Sequence, residues 1–145
     1  MKRRATAVWK GTGLEGSGTL TGKSGVLNNT PYSTKVRFQN EDGTEGTNPE
    51  ELIAAAHAGC FSMALSFQLV ANGFTADELK TEAVVIIEKQ ETGGFAITGI
   101  TLYLTGKVPG ISKEKFEELA NGAKVDCPVS KALSAVPIDL KIELV

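Results

Sequence analysis

The chain has 145 residues, 41% of them apolar and 22% charged, the size of one domain that buries a core without covalent staples. That composition sets it apart from disordered chains. Its 15 Lys and Arg against 17 Asp and Glu leave a net charge of -2, and no basic stripe interleaved with aromatic residues is present, which argues against a nucleic-acid binder. Lys2-Arg3-Arg4 is followed by Ala5-Thr6-Ala7-Val8-Trp9-Lys10, which is broken by charge too early for the apolar core of a signal peptide. No apolar run approaches the ~20 residues that span a membrane. The expectation is a soluble, cytosolic protein forming one domain over 1–145, with no membrane and no nucleic-acid partner.

Segments 4–10, 16–21 and 33–38 have the β-branched content and turn punctuation of short strands, with Ser24-Gly25 and Asn28-Asn29-Thr30-Pro31 as turns between them. Residues 40–46 read as a polar loop. A helix is predicted over 49–71. Asn48 can cap it, Pro49 suits its first position, Glu51 sits where a capping-box carboxylate reaches back, and Asn72-Gly73 stops it. Apolar residues lie on most of its sides, so burial is expected, in part against a partner chain.

Residues 80–90 and 95–106 predict two strands joined by the hairpin Glu91-Thr92-Gly93-Gly94. Ser112 caps a helix over 113–124, and a shorter helix follows Cys127-Pro128. The strict alternation of Ile138-Asp139-Leu140-Lys141-Ile142-Glu143-Leu144 predicts a final strand. Strands, helix, strands, helices and strand in that order give an α+β fold with mostly antiparallel sheet.

The chemistry concentrates in two cysteines, Cys60 and Cys127; one His is present, and no cluster has metal-ligand spacing. In a reducing cytosol such thiols suit a transient disulfide better than a permanent one. Cys60 lies mid-helix beside Gly59 and a run of alanines, which leaves room for a substrate or for close packing as a small apolar residue. Reactivity needs the thiolate. An ordinary thiol with pKa about 8.5 is only ~3% ionised at neutral pH, and lowering its pKa to about 6 needs about 3.4 kcal/mol of preferential stabilisation of the anion. Position 60 is too far along the helix to use its positive end.

His57 shares a helical face with Cys60 and could supply charge, or could simply be packed and hydrogen-bonded. Arg37, in the strand-like Lys35-Val36-Arg37-Phe38, is the better cation if it points inward, because Glu50 could then hold its guanidinium at two points. Glu50 and Cys60 are ten residues apart, ~15 Å along one straight helix. The pair therefore needs a break in the helix or the sulfur of a partner subunit, and a homodimer with interfacial sites is the reading preferred. Cys127, between Asp126 and Pro128, sits at a helix start where an anion is supported. It is 67 residues from Cys60, so only the fold can join the two.

Taken together, 47–66 (Thr47-Asn48-Pro49-Glu50 through Cys60 to Ser66) and Asp126-Cys127-Pro128-Val129-Ser130 resemble the two cysteine regions of the OsmC/Ohr family, named for the osmotically induced and organic hydroperoxide resistance proteins. Ser24-Gly25-Val26-Leu27-Asn28, Pro31-Tyr32, Arg37-Phe38, His57 and Val108-Pro109-Gly110-Ile111 look closer to the OsmC branch, and Gly59 replaces an Ala common in the family. The resemblance implies an OsmC-like intertwined homodimer and a thiol-dependent peroxidase that reduces organic hydroperoxides, and hydrogen peroxide less well. It implies Cys60 as the peroxidatic and Cys127 as the resolving cysteine, with Arg37 and Glu50 as the activating pair. It implies no metal, haem or flavin, and an external dithiol, possibly on a lipoylated protein, as reductant. Phe61, Phe38 and Phe67 are candidates to contact an alkyl group. Two other readings stay open: a redox sensor switched by its disulfide, and a ligand-binding dimer with inert cysteines.

Overall fold

A computed structural model of the chain describes residues 1–40 and 45–145. Most of the predicted polar loop, 41–44, lies outside the described residues. The chain divides into two compact units, Met1–Leu52 and Ile53–Val145.

In the first unit, β1 (Ala5–Lys10), β2 (Ser17–Gly22) and β3 (Thr30–Ser33) form an antiparallel sheet in that order. The predicted turns are present, with Gly25 and Asn29 at positive φ, a conformation that glycine and asparagine tolerate best. The predicted third strand over 33–38 is corrected: the strand ends at Ser33 and α1 (Thr34–Gln39) follows. The physical reason is a cap. Ser33 is extended, and its hydroxyl accepts the Val36 backbone N–H at 3.0 Å, which starts a helix where β-branched content alone favours a strand. Among the described residues of this unit only Gly16 and Thr47 are buried, and β1 is exposed at all six positions.

α2 (Pro49–Ala71) starts at the end of the first unit and continues through the second without interruption. The Asn48 side chain accepts the Glu51 backbone N–H at 2.8 Å, as a capping residue should. The Glu51 carboxylate takes the Thr47 hydroxyl as its donor, in place of the reach back to Asn48 that a capping box implies. The helix closes where expected: Gly73 has positive φ, and the Gly73 and Phe74 amides return to the carbonyls of Val70 and Leu69. By length and hydropathy α2 reaches what a membrane span needs, further than the short apolar runs of the sequence suggested. The core helix of a water-soluble protein passes the same test, and Phe61, Leu65 and Leu69 of α2 are fully buried in the core. Met63, Phe67 and Val70 stand exposed on its other sides.

The second unit builds a sheet in the order β4 (Glu78–Lys89), β5 (Phe95–Lys107), β6 (Ile138–Leu144). β4 and β5 form the predicted antiparallel hairpin, while β6 pairs parallel with β5 after a connection containing α3 (Lys113–Asp126) and α4 (Pro128–Ala132). Ser112 caps α3 by accepting the Lys115 amide at 3.2 Å. The core joins Phe61, Leu65 and Leu69 of α2, Ile100, Leu102 and Leu104 of β5, and Phe116, Leu119, Ala120 and Ala123 of α3. Gly106 is required by close approach: a Cβ there would lie 2.1 Å from the buried Phe116 ring. The result is α+β, with three of the four described strand pairings antiparallel.

Candidate functional site

α1 and the first turn of α2 bring Arg37 to Glu50. Arg37 Nε donates to one carboxylate oxygen at 3.1 Å and a terminal nitrogen donates to the other at 2.5 Å, the parallel two-point geometry of a guanidinium on a carboxylate. The guanidinium also lies 4.8 Å over the Phe38 ring. Side-chain exposures of 34% and 12% place the pair at a half-shielded surface, where the ion pair orients Arg37 more than it stabilises the fold. Beside it, Trp9, Tyr32, Phe38, Thr47 and Pro49 line a small hollow of about 90 Å³. Phe38 therefore belongs to the surroundings of Arg37.

The two sulfurs meet within the second unit. Cys60 lies midway along α2. Cys127 is the joint between α3 and α4: its N–H closes α3 on the Ala123 carbonyl at 2.9 Å, and its C=O accepts the Lys131 amide at 3.0 Å. Pro128 disfavours helical conformation at the residue before it, and Cys127 turns out of the helix with ψ 119°. That turn sets the two Sγ atoms 2.8 Å apart, sharing one hydrogen bond as free thiols. Cys127 is fully buried, and Cys60 is half-buried at the edge of an open cleft of about 560 Å³. Met63, Ala64, Phe67, Gln68, Asp126 and Pro128 line the rest, and the surface is mainly apolar. Of the other phenylalanines considered, Phe67 faces this cleft, whereas Phe61 is buried in the core.

Electrostatics separates the sulfurs. Burial pushes the Cys60 thiol up, and the hydrogen bond to Cys127 adds to this; the Val129 amide opposes both. Burial alone would also raise Cys127. The adjacent Cys60 thiol and the Ser130 and Val129 groups that follow it in α4 bring it below the ordinary thiol range. In this arrangement Cys127 is the better anion of the two, and Cys60 needs a cation to reverse the order.

His57 does not supply that charge. It is fully buried, burial holds its pKa below the ordinary histidine value, and Nε2 is 2.8 Å from the Ser130 hydroxyl. The expected common face with Cys60 places it beside Ser130 instead. In the sequence Ser130 is only the last residue of the second cysteine segment, with nothing to mark it as the partner of His57. Among the described residues no group of three or more His, Cys, Asp or Glu side chains is placed to hold a metal ion.

The family model for OsmC-like proteins matches residues 40–143. The chain is 45% identical to Peroxiredoxin OsmC of Escherichia coli (strain K12) over 142 residues, covering 97% of this chain and 96% of that one. It is 34% identical to the organic hydroperoxide resistance protein OhrB of Bacillus subtilis (strain 168) over 128 residues, covering 88% and 89%. The crystal structure of OhrB of Bacillus subtilis superposes with a TM-score of 0.71 at 32% identity, covering 100% of this chain and 98% of that one. With the paired sulfurs and the ion-paired arginine in place, these matches establish that the chain belongs to the OsmC-like protein family.

Proposed function

We propose that this chain is a cysteine-based peroxidase that reduces organic hydroperoxides and, less well, hydrogen peroxide. The observation that carries the reading is the Cys60–Cys127 pair, 2.8 Å apart at the edge of an apolar cleft. The Cys60 thiolate attacks the terminal peroxide oxygen, the O–O bond breaks, and the alkoxide leaves as alcohol after taking a proton. Cys60 becomes a sulfenic acid. The Cys127 thiolate then attacks that sulfur, the S–O bond breaks, and hydroxide leaves as water once protonated. An external dithiol reduces the resulting disulfide by exchange and is itself oxidised. A lipoylated protein is the proposed donor.

The working unit is proposed to be an intertwined homodimer in which each 1–145 chain acts as one domain. Three features support it. α2 is continuous, so a Glu50–Arg37 pair at its start suits the sulfur of a partner subunit. β1 is exposed at every position. Met63, Phe67 and Val70 leave an apolar side of α2 bare. In this reading Arg37, oriented by Glu50, supplies positive charge that offsets the effect of burial and Cys127 against the Cys60 thiolate, and it holds the substrate oxygen.

Steady-state reduction of cumene hydroperoxide and hydrogen peroxide, with lipoamide and thioredoxin compared as donors, tests the function. Faster turnover with the organic peroxide and with the dithiol lipoamide is expected. Stoichiometric oxidation without turnover under every donor would replace the enzyme with a sensor. Arg37→Ala should return Cys60 toward an ordinary thiol and slow its oxidation at neutral pH, by up to about tenfold for each unit its pKa rises. An unchanged pH profile for sulfenic acid formation would remove Arg37 from the role.

A further inference from the structure

The cleft beside Cys60 is apolar except for one pair of side chains. Cys60, Ala64 and Phe67 follow one another on α2 at the spacing of a single helical face, and Pro128 of α4 also lines the cleft. Among the described residues of the lining, Asp126 is the one charged side chain and Gln68 the one amide. Gln68 Nε2 donates to an Asp126 carboxylate oxygen at 2.8 Å, which ties the last residue of α3 to α2. No cation answers that carboxylate. Among the described residues no ion pair includes Asp126, and Lys124, in the same last turn of α3, donates to the Ile138 carbonyl at 3.2 Å.

The placement of Asp126 runs against helix electrostatics. The last turn of a helix carries partial negative charge on its free carbonyls, so a carboxylate there costs stability where a cation would gain it. Asp126 is exposed and adds nothing to the core. A local rule broken without a gain in packing points to function.

We propose that Asp126 is a specificity-determining residue. Its carboxylate, held by Gln68, gives the Cys60 cleft a negative wall that turns away hydroperoxides carrying an anionic group and admits those whose organic part is uncharged. An apolar wall resists a charge of either sign by desolvation, whereas a carboxylate resists one sign only. The choice of substrate rests on the peroxidase reading; the sign of the cleft does not. In that reading Arg37 of the partner subunit takes the peroxide end, so Asp126 acts on the organic end.

Two alkylating agents of similar size that differ by one charge read the wall without any peroxide. Neutral iodoacetamide and anionic iodoacetate both attach to the Cys60 thiolate and release iodide. The ratio of their rates is therefore independent of how much thiolate is present. Followed by the mass of the Cys60 peptide, the rate with iodoacetamide over that with iodoacetate should fall about fivefold in Asp126→Asn at low salt, the effect of one unit charge close by in water. In the parent chain, raising the salt to about 0.5 M should bring the ratio to within about twofold of the variant's, because exposed charges are then screened. An equal ratio in the two chains, or a parent ratio indifferent to salt, overturns the negative wall whether or not the chain is a peroxidase.

The substrate half is tested by steady turnover of cumene hydroperoxide and its para-carboxylate and para-aminomethyl analogues. The parent chain should use the carboxylate least. The ratio of kcat/KM for the carboxylate to that for the neutral form should rise about fivefold in Asp126→Asn, and the ratio for the cationic form should fall. Ratios unmoved by the substitution would overturn Asp126 as the determinant. A chain that turns over no peroxide would fail the peroxidase reading and leave the wall to be decided by the alkylation ratio.

Discussion

Cys60→Ser should abolish hydroperoxide turnover, lowering kcat/KM by about 10⁴-fold or more, the scale on which enzymes lose activity with their nucleophile. The serine hydroxyl does not ionise at neutral pH and is a poor nucleophile toward an O–O bond, so nothing in the cleft replaces the sulfur. The substitution is close to isosteric at a half-buried position, so the fold should persist and the loss should be chemical. Steady-state peroxide consumption with excess dithiol measures it, with circular dichroism as the control for folding. Normal turnover in Cys60→Ser would move the nucleophile to Cys127, the sulfur that is already the better anion in a single chain. The assignment of roles would then be reversed, and the cation argued for Cys60 would lose its purpose.

What could be read in advance follows from where the information lies. α2 was legible to the residue because its ends are written locally, in Asn48 and Pro49 at one end and Asn72-Gly73 at the other. β6 was legible because alternation fixes which side chains face the core, although its parallel pairing with β5 depends on a connection the alternation does not encode. The segment at 33–38 misled because Val36 and Thr34 favour a strand, whereas one serine hydroxyl on the Val36 amide decides for a helix. The same local event places Arg37 within reach of Glu50, so a correct pairing was reached through an incorrect element.

The sulfur pair was not legible from spacing, since a separation of 67 residues is closed only by the turn that Pro128 imposes at Cys127. Helical spacing allows His57 to stand as a cation beside Cys60. Burial excludes that, and Ser130 gives the imidazole its partner from 73 residues away. A hydrogen bond of that separation has no sequence signature.

Cys127→Ser should uncouple the cycle without slowing its start. The first equivalent of hydroperoxide should be reduced at the unaltered rate, because Cys127 is fully buried and in the proposed cycle it acts only after the O–O bond has broken. Removing its sulfur also removes a group that raises the Cys60 pKa, so the first step should hold its speed or gain slightly. The sulfenic acid then has no partner within bonding distance. Excess peroxide should carry it to sulfinic acid, which thiols do not reverse. Multiple turnover with a dithiol should fall by about 10²-fold or more, the scale of losing a proton-transfer or nucleophilic partner placed in contact. Intact-mass measurement after increasing peroxide distinguishes the outcomes: one added oxygen at one equivalent and two at excess in Cys127→Ser, against loss of two hydrogens in the parent chain. If Cys127→Ser turned over at the parent rate and stayed free of sulfinic acid, the external dithiol would be reducing the sulfenic acid directly. The 2.8 Å approach of the two sulfurs would then serve only to keep Cys60 protonated between encounters, a role that the burial and hydrogen bonding around it already fill.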